Sequence, residues 1–223
     1  MNLALFDLDH TLIPFDSGMA WTEFLVAQAA LPPAAEAQYL AYCHQYVAGT
    51  LDIHAMHHAS VSPLRRYTRA QVAEWARAFE DRMAERIPAS MRALVSRHRR
   101  AGDLCAIVTA TTRFIADPFG RLFGIDDVLA TEPATEGNRP DAAFTGVIAG
   151  EPCFREHKLT HVNRWLAMRG SDLADFDKSW FYSDSASDLP LLEAVSHPVA
   201  VNPDERLRAH AQAAAWRILQ RGD

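Results

Sequence analysis

The chain has 223 residues, 49% of them hydrophobic and 22% charged, which excludes disordered, collagen-like and fibrous classes. That length suits one large domain or a core carrying a modest insertion. Lys and Arg number 22 against 28 for Asp and Glu, a net charge of −6, so the chain lacks the electrostatic footprint of a general nucleic-acid binder and must hold any anionic ligand by local features.

Residues 3–6 are a short apolar run ending at Asp7. They predict a buried parallel strand that delivers a carboxylate at its C-terminal end, where open α/β sheets carry their chemistry. Residues 17–86 change texture: Ala-rich segments of helical periodicity, separated by Leu31-Pro32-Pro33, Gly49-Thr50 and Ser62-Pro63, predict roughly four helices and no strand. After Pro88 the pattern alternates between helix 89–101, strand 104–108, helix 113–123 and strand 127–130, with Gly102 and Gly124 as helix stops. Residues 131–150, rich in Pro, Gly, Asn and Asp around an alternation at 143–148, predict a hairpin or loop excursion. Helix 157–168, strand 180–182, helix 187–195, strand 198–201, a helix from 203 to about 213 and a strand around 216–219 follow. The closing Arg221-Gly222-Asp223 reads as a frayed tail.

Alternating β and α units imply a doubly wound, mostly parallel sheet with helices on both faces. The expected architecture is an α/β core of residues 1–16 and 87–223, with an all-helical cap domain, residues 17–86, inserted after the first strand. Cys43, Cys105 and Cys153 have neither CxxC spacing nor the even count of a disulfide framework and are expected as reduced, partly buried thiols. No apolar run approaches the ~20 residues of a membrane span, and no export signal is recognised, so a cytoplasmic protein binding neither membrane nor nucleic acid is expected.

The residues suited to chemistry lie at strand ends. Asp7-Leu8-Asp9-His10-Thr11-Leu12 follows the first strand, Val108-Thr109-Ala110-Thr111 ends the second, Lys158 opens a helix, and Tyr182-Ser183-Asp184-Ser185-Ala186-Ser187-Asp188 ends a later strand. Asp7, Asp9, Asp184 and Asp188 together form an acidic cluster that repels itself unless a cation joins it. All-oxygen donors suit Mg²⁺, and no Cys/His spacing nearby suits zinc. Singly, each residue also has an ordinary reading: Thr109 as a helix cap, Lys158 as a solvated helix lysine, Asp188 as a first-turn charge.

In this order the four segments resemble the four motifs of the haloacid dehalogenase superfamily of phosphohydrolases, over residues 1–16 and 87–213, and the helical insert is similar to the cap of its phosphoserine phosphatase-like branch. The resemblance implies that Asp7 is the nucleophile that becomes an aspartyl-phosphate, and that Asp9 protonates the leaving alcohol and later activates water. It implies Mg²⁺ held by Asp7, the main-chain carbonyl of Asp9, and Asp184. Thr109 and the Ala110 amide would bind phosphate, Lys158 would pair with phosphate and Asp7, and Asp188 would support the metal shell or orient Lys158.

The sequence also departs from that branch. Asp16 stands at the acidic, amine-contacting position, shorter than the usual Glu, and Ser60 stands where the carboxylate-gripping arginine is expected. Ser187 replaces the usual Asn and keeps a hydroxyl for phosphate or substrate. A small phosphorylated metabolite with an amine and no carboxylate, such as histidinol phosphate, satisfies these departures together. The other readings are phosphoserine hydrolysis, phosphoryl transfer to an acceptor other than water, or a weakly active phospho-ligand-binding module. His44, His54, His57 and His58 in the insert are expected to be solvated or capping, and Arg65-Arg66 and His98-Arg99-Arg100 to be solvated helix faces.

Overall fold

The computed structural model describes residues 1–220; the Arg221-Gly222-Asp223 tail lies outside the described residues. A six-stranded sheet forms the centre, in the order β3-β2-β1-β6-β7-β8. Its strands are β1 (Leu3–Phe6), β2 (Leu104–Thr112), β3 (Asp127–Thr131), β6 (Ser179–Ser183), β7 (His197–Val201) and β8 (Arg217–Leu219), and every neighbouring pair is parallel. β1 is buried along its whole length between β2 and β6. Its alternate residues serve opposite faces: Ala4 and Phe6 join one hydrophobic cluster, Leu3 and Leu5 the other. A strand covered on both sides needs this unbroken apolar run.

Helices α5 (Ala89–Arg100) and α6 (Arg113–Phe123) cover the first face, and α7 (His157–Ala167), α8 (Leu189–Ala194) and α9 (Glu205–Ala213) the second. From β1 the chain moves outward through β2 and β3, then returns to the other side of β1 for β6, β7 and β8. The strand order therefore reverses at β1, and the crevice beyond the carboxyl ends of β1, β2 and β6 is the ligand position that such a reversal creates. β4 (Pro133–Thr135) and β5 (Phe144–Ile148) pair antiparallel as the expected hairpin.

Residues 17–86 hold the four expected helices: α1 (Ser17–Ala27), α2 (Ala34–Val47), α3 (Ile53–Val61) and α4 (Arg69–Ala84). Asp16 caps α1 by accepting from the Met19 amide at 2.7 Å, Asp52 caps α3, and Thr68 with Gln71 forms a capping box on α4. α1 and α4 do not close a core of their own. Trp21, Phe24 and Phe79 belong to the same cluster as Phe6 and Ile107, with Phe79 edge-on to Phe119 at 5.9 Å and to Phe24 at 5.7 Å. α2 differs, since none of its described residues is buried.

Boundaries shift where side-chain chemistry is indifferent. β2 continues beyond residue 108 to Thr112, because β-branched threonines keep the extended form and Thr112 pairs with Thr131. The helix expected from residue 187 begins instead as a tight turn, Ala186–Asp188, leading into α8. Among the described residues no helix is long and apolar enough to cross a membrane.

His98 is not part of a solvated face. It is buried, bonded through Nδ1 to Asp103 at 2.7 Å and through Nε2 to the Tyr182 hydroxyl at 2.8 Å, while Arg99 and Arg100 are exposed.

Candidate active site

The Asp7 amide still donates to the Tyr182 carbonyl at 2.9 Å, the last bond of the strand pairing. The chain then breaks: Asp9 is extended (φ −66°, ψ 133°) and His10 is left-handed (φ 56°), an uncommon conformation for a residue with a Cβ. This bend brings Asp7 and Asp9 close enough to repel each other electrostatically.

Lys158, at the first turn of α7 and 3% exposed, donates from Nζ to Asp7 Oδ1 and to Asp188 Oδ2, both at 2.7 Å. Asp188 Oδ2 also accepts from Ser183 Oγ at 2.7 Å, while Asp188 Oδ1 has no hydrogen-bond partner among the described residues. Asp184 Oδ1 accepts from Thr11 Oγ1 at 3.2 Å. Thus three distant segments converge on one cluster. Thr109 is buried in β2, three residues before its end, where its hydroxyl accepts from the Thr111 amide at 3.2 Å and keeps its own proton to donate; Ala110 follows it, partly exposed.

Positive charge is scarce in this cluster. Burial raises the carboxyls of Asp7, Asp184 and Asp188 above the usual range; Asp7 and Asp188 add to the rise at Asp184, and Lys158 opposes it at all three. Burial alone would push Lys158 down, yet Asp188 and Asp7 hold it well above its ordinary value, so it remains an ammonium.

Asp9 is held differently. Its Oδ1 accepts from the Ser17 amide and its Oδ2 from Thr111 Oγ1, both at 2.6 Å, and Ser17 Oγ lies 3.0 Å from Thr111 Oγ1. Burial, then the charge of Asp16, raises its carboxyl to about 6. Thr111 can donate to the carboxylate or accept from the acid, so this partner suits both protonation states. Asp16 lies beside Asp9, but its oxygens are engaged by the Met19 amide, by the Tyr39 hydroxyl and, at 3.9 Å, by Cys43 Sγ. A Cβ on Gly18 would collide with the Tyr39 hydroxyl, so only glycine lets that hydroxyl reach Asp16.

Ser187 Oγ contacts Ser185 Oγ at 3.0 Å and the Tyr46 hydroxyl of α2 at 3.1 Å. Tyr46, Tyr39, Thr111, Ser17 and Ser183 are the site residues that sequence reasoning left without a role. Thr111 and Ser183 sat inside quoted motifs and carried that signal; the tyrosines carried none.

The insert meets the crevice through a small apolar cluster in which Leu51, Ile53 and Met56 pack with Ala110 and Phe154. His54 and His58 are exposed as expected, but His57 is buried, its Nδ1 3.3 Å from Thr112 Oγ1, and burial lowers it to about 4. Ser60 spends its hydroxyl on the Met56 carbonyl at 2.9 Å and borders a cavity of about 120 Å³ whose described lining, including Tyr39, Tyr42 and Gln38, carries no cationic side chain. Arg66 donates to the Ala30 carbonyl at 2.7 Å.

Known proteins share this arrangement of chain. A histidinol-phosphatase of Neisseria meningitidis serogroup C (strain 8013) is 42% identical over 98% of this chain and 98% of its own. A crystal structure of a protein with unknown function from Bordetella pertussis Tohama I superposes with a TM-score of 0.89 at 40% identity, covering 99% of this chain and 98% of that one. A phosphoserine phosphatase carrying an analogue of its phospho-aspartyl intermediate shares the fold, with a TM-score of 0.67 at 16% identity over 98% and 92% of the two chains. The model of the haloacid dehalogenase-like hydrolases matches residues 4–193, which take in the Asp7 turn, the end of β2, Lys158 and the Asp184–Asp188 segment. With the strand-end chemistry and the family model in agreement, the chain belongs to the haloacid dehalogenase-like hydrolases.

Proposed function

We propose that this protein is a Mg²⁺-dependent phosphatase that hydrolyses histidinol phosphate through an aspartyl-phosphate on Asp7. The observation that carries the reaction class is the buried Asp7–Lys158–Asp188 contact, 2.7 Å on each side. It presents a carboxylate at a strand end with a fixed ammonium beside it to offset the charge of a phosphoryl group. The substrate is supported by the full-length similarity to a histidinol-phosphatase and by the lack of a cationic side chain in the described lining of the cavity beside Ser60.

The donor set fits Mg²⁺. Asp7 and Asp184 are hard oxygen donors in a pocket short of positive charge. Among the described residues no three His, Cys, Asp or Glu side chains form a metal-binding group, and the proposed set requires two carboxylates and the Asp9 carbonyl. When bound there, Mg²⁺ supplies charge neutralisation of the phosphoryl oxygens.

The chain's own residues divide the remaining work. Lys158 and Thr109, with the Ala110 amide, orient the phosphate. A carboxylate oxygen of Asp7 attacks phosphorus as the bond to the alcohol oxygen breaks, and Asp9 gives that oxygen its proton. Asp9 then takes a proton from water, whose oxygen attacks phosphorus, freeing inorganic phosphate and restoring the Asp7 carboxylate. A group poised at about 6 both gives and takes a proton near neutral pH. Asp188 steadies Lys158, and Asp16 offers its charge to the substrate ammonium. Residues 17–86 form the cap over this crevice.

The test is release of inorganic phosphate from histidinol phosphate by purified protein, with and without Mg²⁺. Turnover with the metal and none in chelator is expected. Turnover of other phosphomonoesters with none of histidinol phosphate overturns the substrate, and no turnover of any phosphomonoester overturns the phosphatase.

A further inference from the structure

Helix α2 is the loosest part of the insert. α1 and α4 are locked into the aromatic cluster that continues onto the sheet face, whereas none of the described residues of α2 is buried and Leu40 and Val47 are exposed. Elements with little buried apolar surface open at low free energy. What α2 turns toward the site is polar: Tyr39, Cys43 and Tyr46, at i, i+4 and i+7, share one helical face. Tyr39 and Cys43 reach Asp16, and Tyr46 reaches the far wall of the crevice.

There the Tyr46 hydroxyl donates to Ser185 Oγ at 2.9 Å, Ser185 Oγ donates to Ser187 Oγ at 3.0 Å, and Ser187 Oγ lies 3.1 Å from the Tyr46 oxygen. One proton per hydroxyl completes a closed ring of three hydrogen bonds. The same residues shape the turn that bears Asp188: Ser185 Oγ also accepts from the Ser187 amide at 3.2 Å, and the Ser185 amide donates to Ser183 Oγ, itself bonded to Asp188. A second strut lies alongside, with Arg155 donating to the Gly49 carbonyl just past α2 at 3.0 Å from a left-handed backbone (φ 52°).

We infer that α2 by itself is the moving lid and that Tyr46 is its latch, a positioning residue that closes the crevice by completing a hydroxyl ring with Ser185 and Ser187. While the ring is closed, Ser187 has no proton left for a substrate. Opening the latch frees Ser187 and exposes the crevice; closing it braces the turn behind Asp188. The latch goes beyond the phosphatase reading, and only the turnover arm of its test rests on that reading.

Cys43 reports the lid directly, because it rides on α2, partly buried against Asp16, and burial there pushes its thiol up to about 12. The experiment alkylates the free enzyme with iodoacetamide and follows each cysteine by peptide mass, comparing wild type with Tyr46→Phe. Loss of the hydroxyl contacts should raise Cys43 labelling about three- to tenfold, leaving Cys105 on β2 unchanged. Ser185→Ala should raise it similarly, and the double variant no further. Unchanged Cys43 labelling, additive effects, or equal acceleration at Cys105 overturns the latch. In turnover, KM for histidinol phosphate should rise about three- to tenfold in Tyr46→Phe, while acetyl phosphate, too small to span the crevice, changes less than about twofold. Equal losses on both overturn it. If wild type fails to hydrolyse histidinol phosphate, the proposed substrate falls and the labelling arm still decides the latch.

Discussion

Lys158 binds Asp7 and Asp188 at once, with equal distances of 2.7 Å, in a wall where Asp188 is 1% exposed. Removing one carboxyl charge leaves the ammonium paired, whereas removing the ammonium strands two buried carboxylates. Asp7→Asn should therefore keep the fold while turnover falls roughly 10³-fold or more. Lys158→Ala should lose both activity and stability, the latter by about 3–5 kcal/mol. Thermal melts beside phosphate-release assays check this; an active Asp7→Asn removes the nucleophile, and a fully stable Lys158→Ala removes the ion-pair argument.

Burial, and then the charges of Asp7 and Asp188, raise the Asp184 carboxyl well above the usual carboxylate range. A carboxyl raised on folding opposes stability once pH exceeds its unfolded value, and the penalty is present at neutral pH. Asp184→Asn should raise the melting temperature of the metal-free protein. Mg²⁺ should raise that of the wild type and leave the variant unmoved, since binding to the folded state alone stabilises it. Equal Mg²⁺ shifts in both proteins would place the cation elsewhere.

The core was legible because a buried strand written as Leu3-Ala4-Leu5-Phe6 and closed by Asp7 has few other uses, and because βα alternation admits few topologies. Asp7, Lys158 and Asp188 follow from the ordered strand-end segments. The tyrosines were hidden, since Tyr46 meets Ser185 across 139 positions and no local pattern announces such a pair. The histidines were misread for a local reason. His98 follows buried Met91, Leu94 and Val95 at helical spacing, and His57 lies between buried Ile53 and Val61; that periodicity outweighs their polarity.

His57 supplies a test by pH. Its ordinary value of 6.5 falls to about 4 in the folded chain. Between these values the unfolded state binds more protons, so acidification costs stability as pH falls through about 6.5, and the loss levels off below about 4. At 1.36 kcal/mol per unit the loss is ~3 kcal/mol at most. The raised carboxyls titrate with the opposite sign, so the quantity to measure is the difference between wild type and His57→Gln. Urea midpoints at several pH values should show the wild type losing its advantage on acidification. A difference independent of pH would mean that His57 binds its proton equally well in the folded and unfolded chain, and burial would not be what shifts it.

On the proposed function, substrate discrimination would rest on Asp16 and on what Ser60 lacks. A phosphoserine carboxylate would meet a Ser60 hydroxyl already given to Met56 and an Arg66 given to Ala30. The missing charge-assisted contact is worth about 1.5–3 kcal/mol, so kcat/KM for phosphoserine should be roughly ten- to a hundredfold below that for histidinol phosphate. Because Asp16 also caps α1, Asp16→Ala would confuse binding with helix stability. Asp16→Asn keeps an oxygen for the Met19 amide and removes the charge, with an amide nitrogen in place of the oxygen that accepts from Cys43. That variant should lose most of its efficiency on histidinol phosphate and little on acetyl phosphate, which has no ammonium to hold. If phosphoserine is the better substrate, Arg65, which is exposed at the end of the turn after α3, becomes the residue to replace; if Asp16→Asn weakens both substrates alike, its carboxylate serves the scaffold rather than the amine.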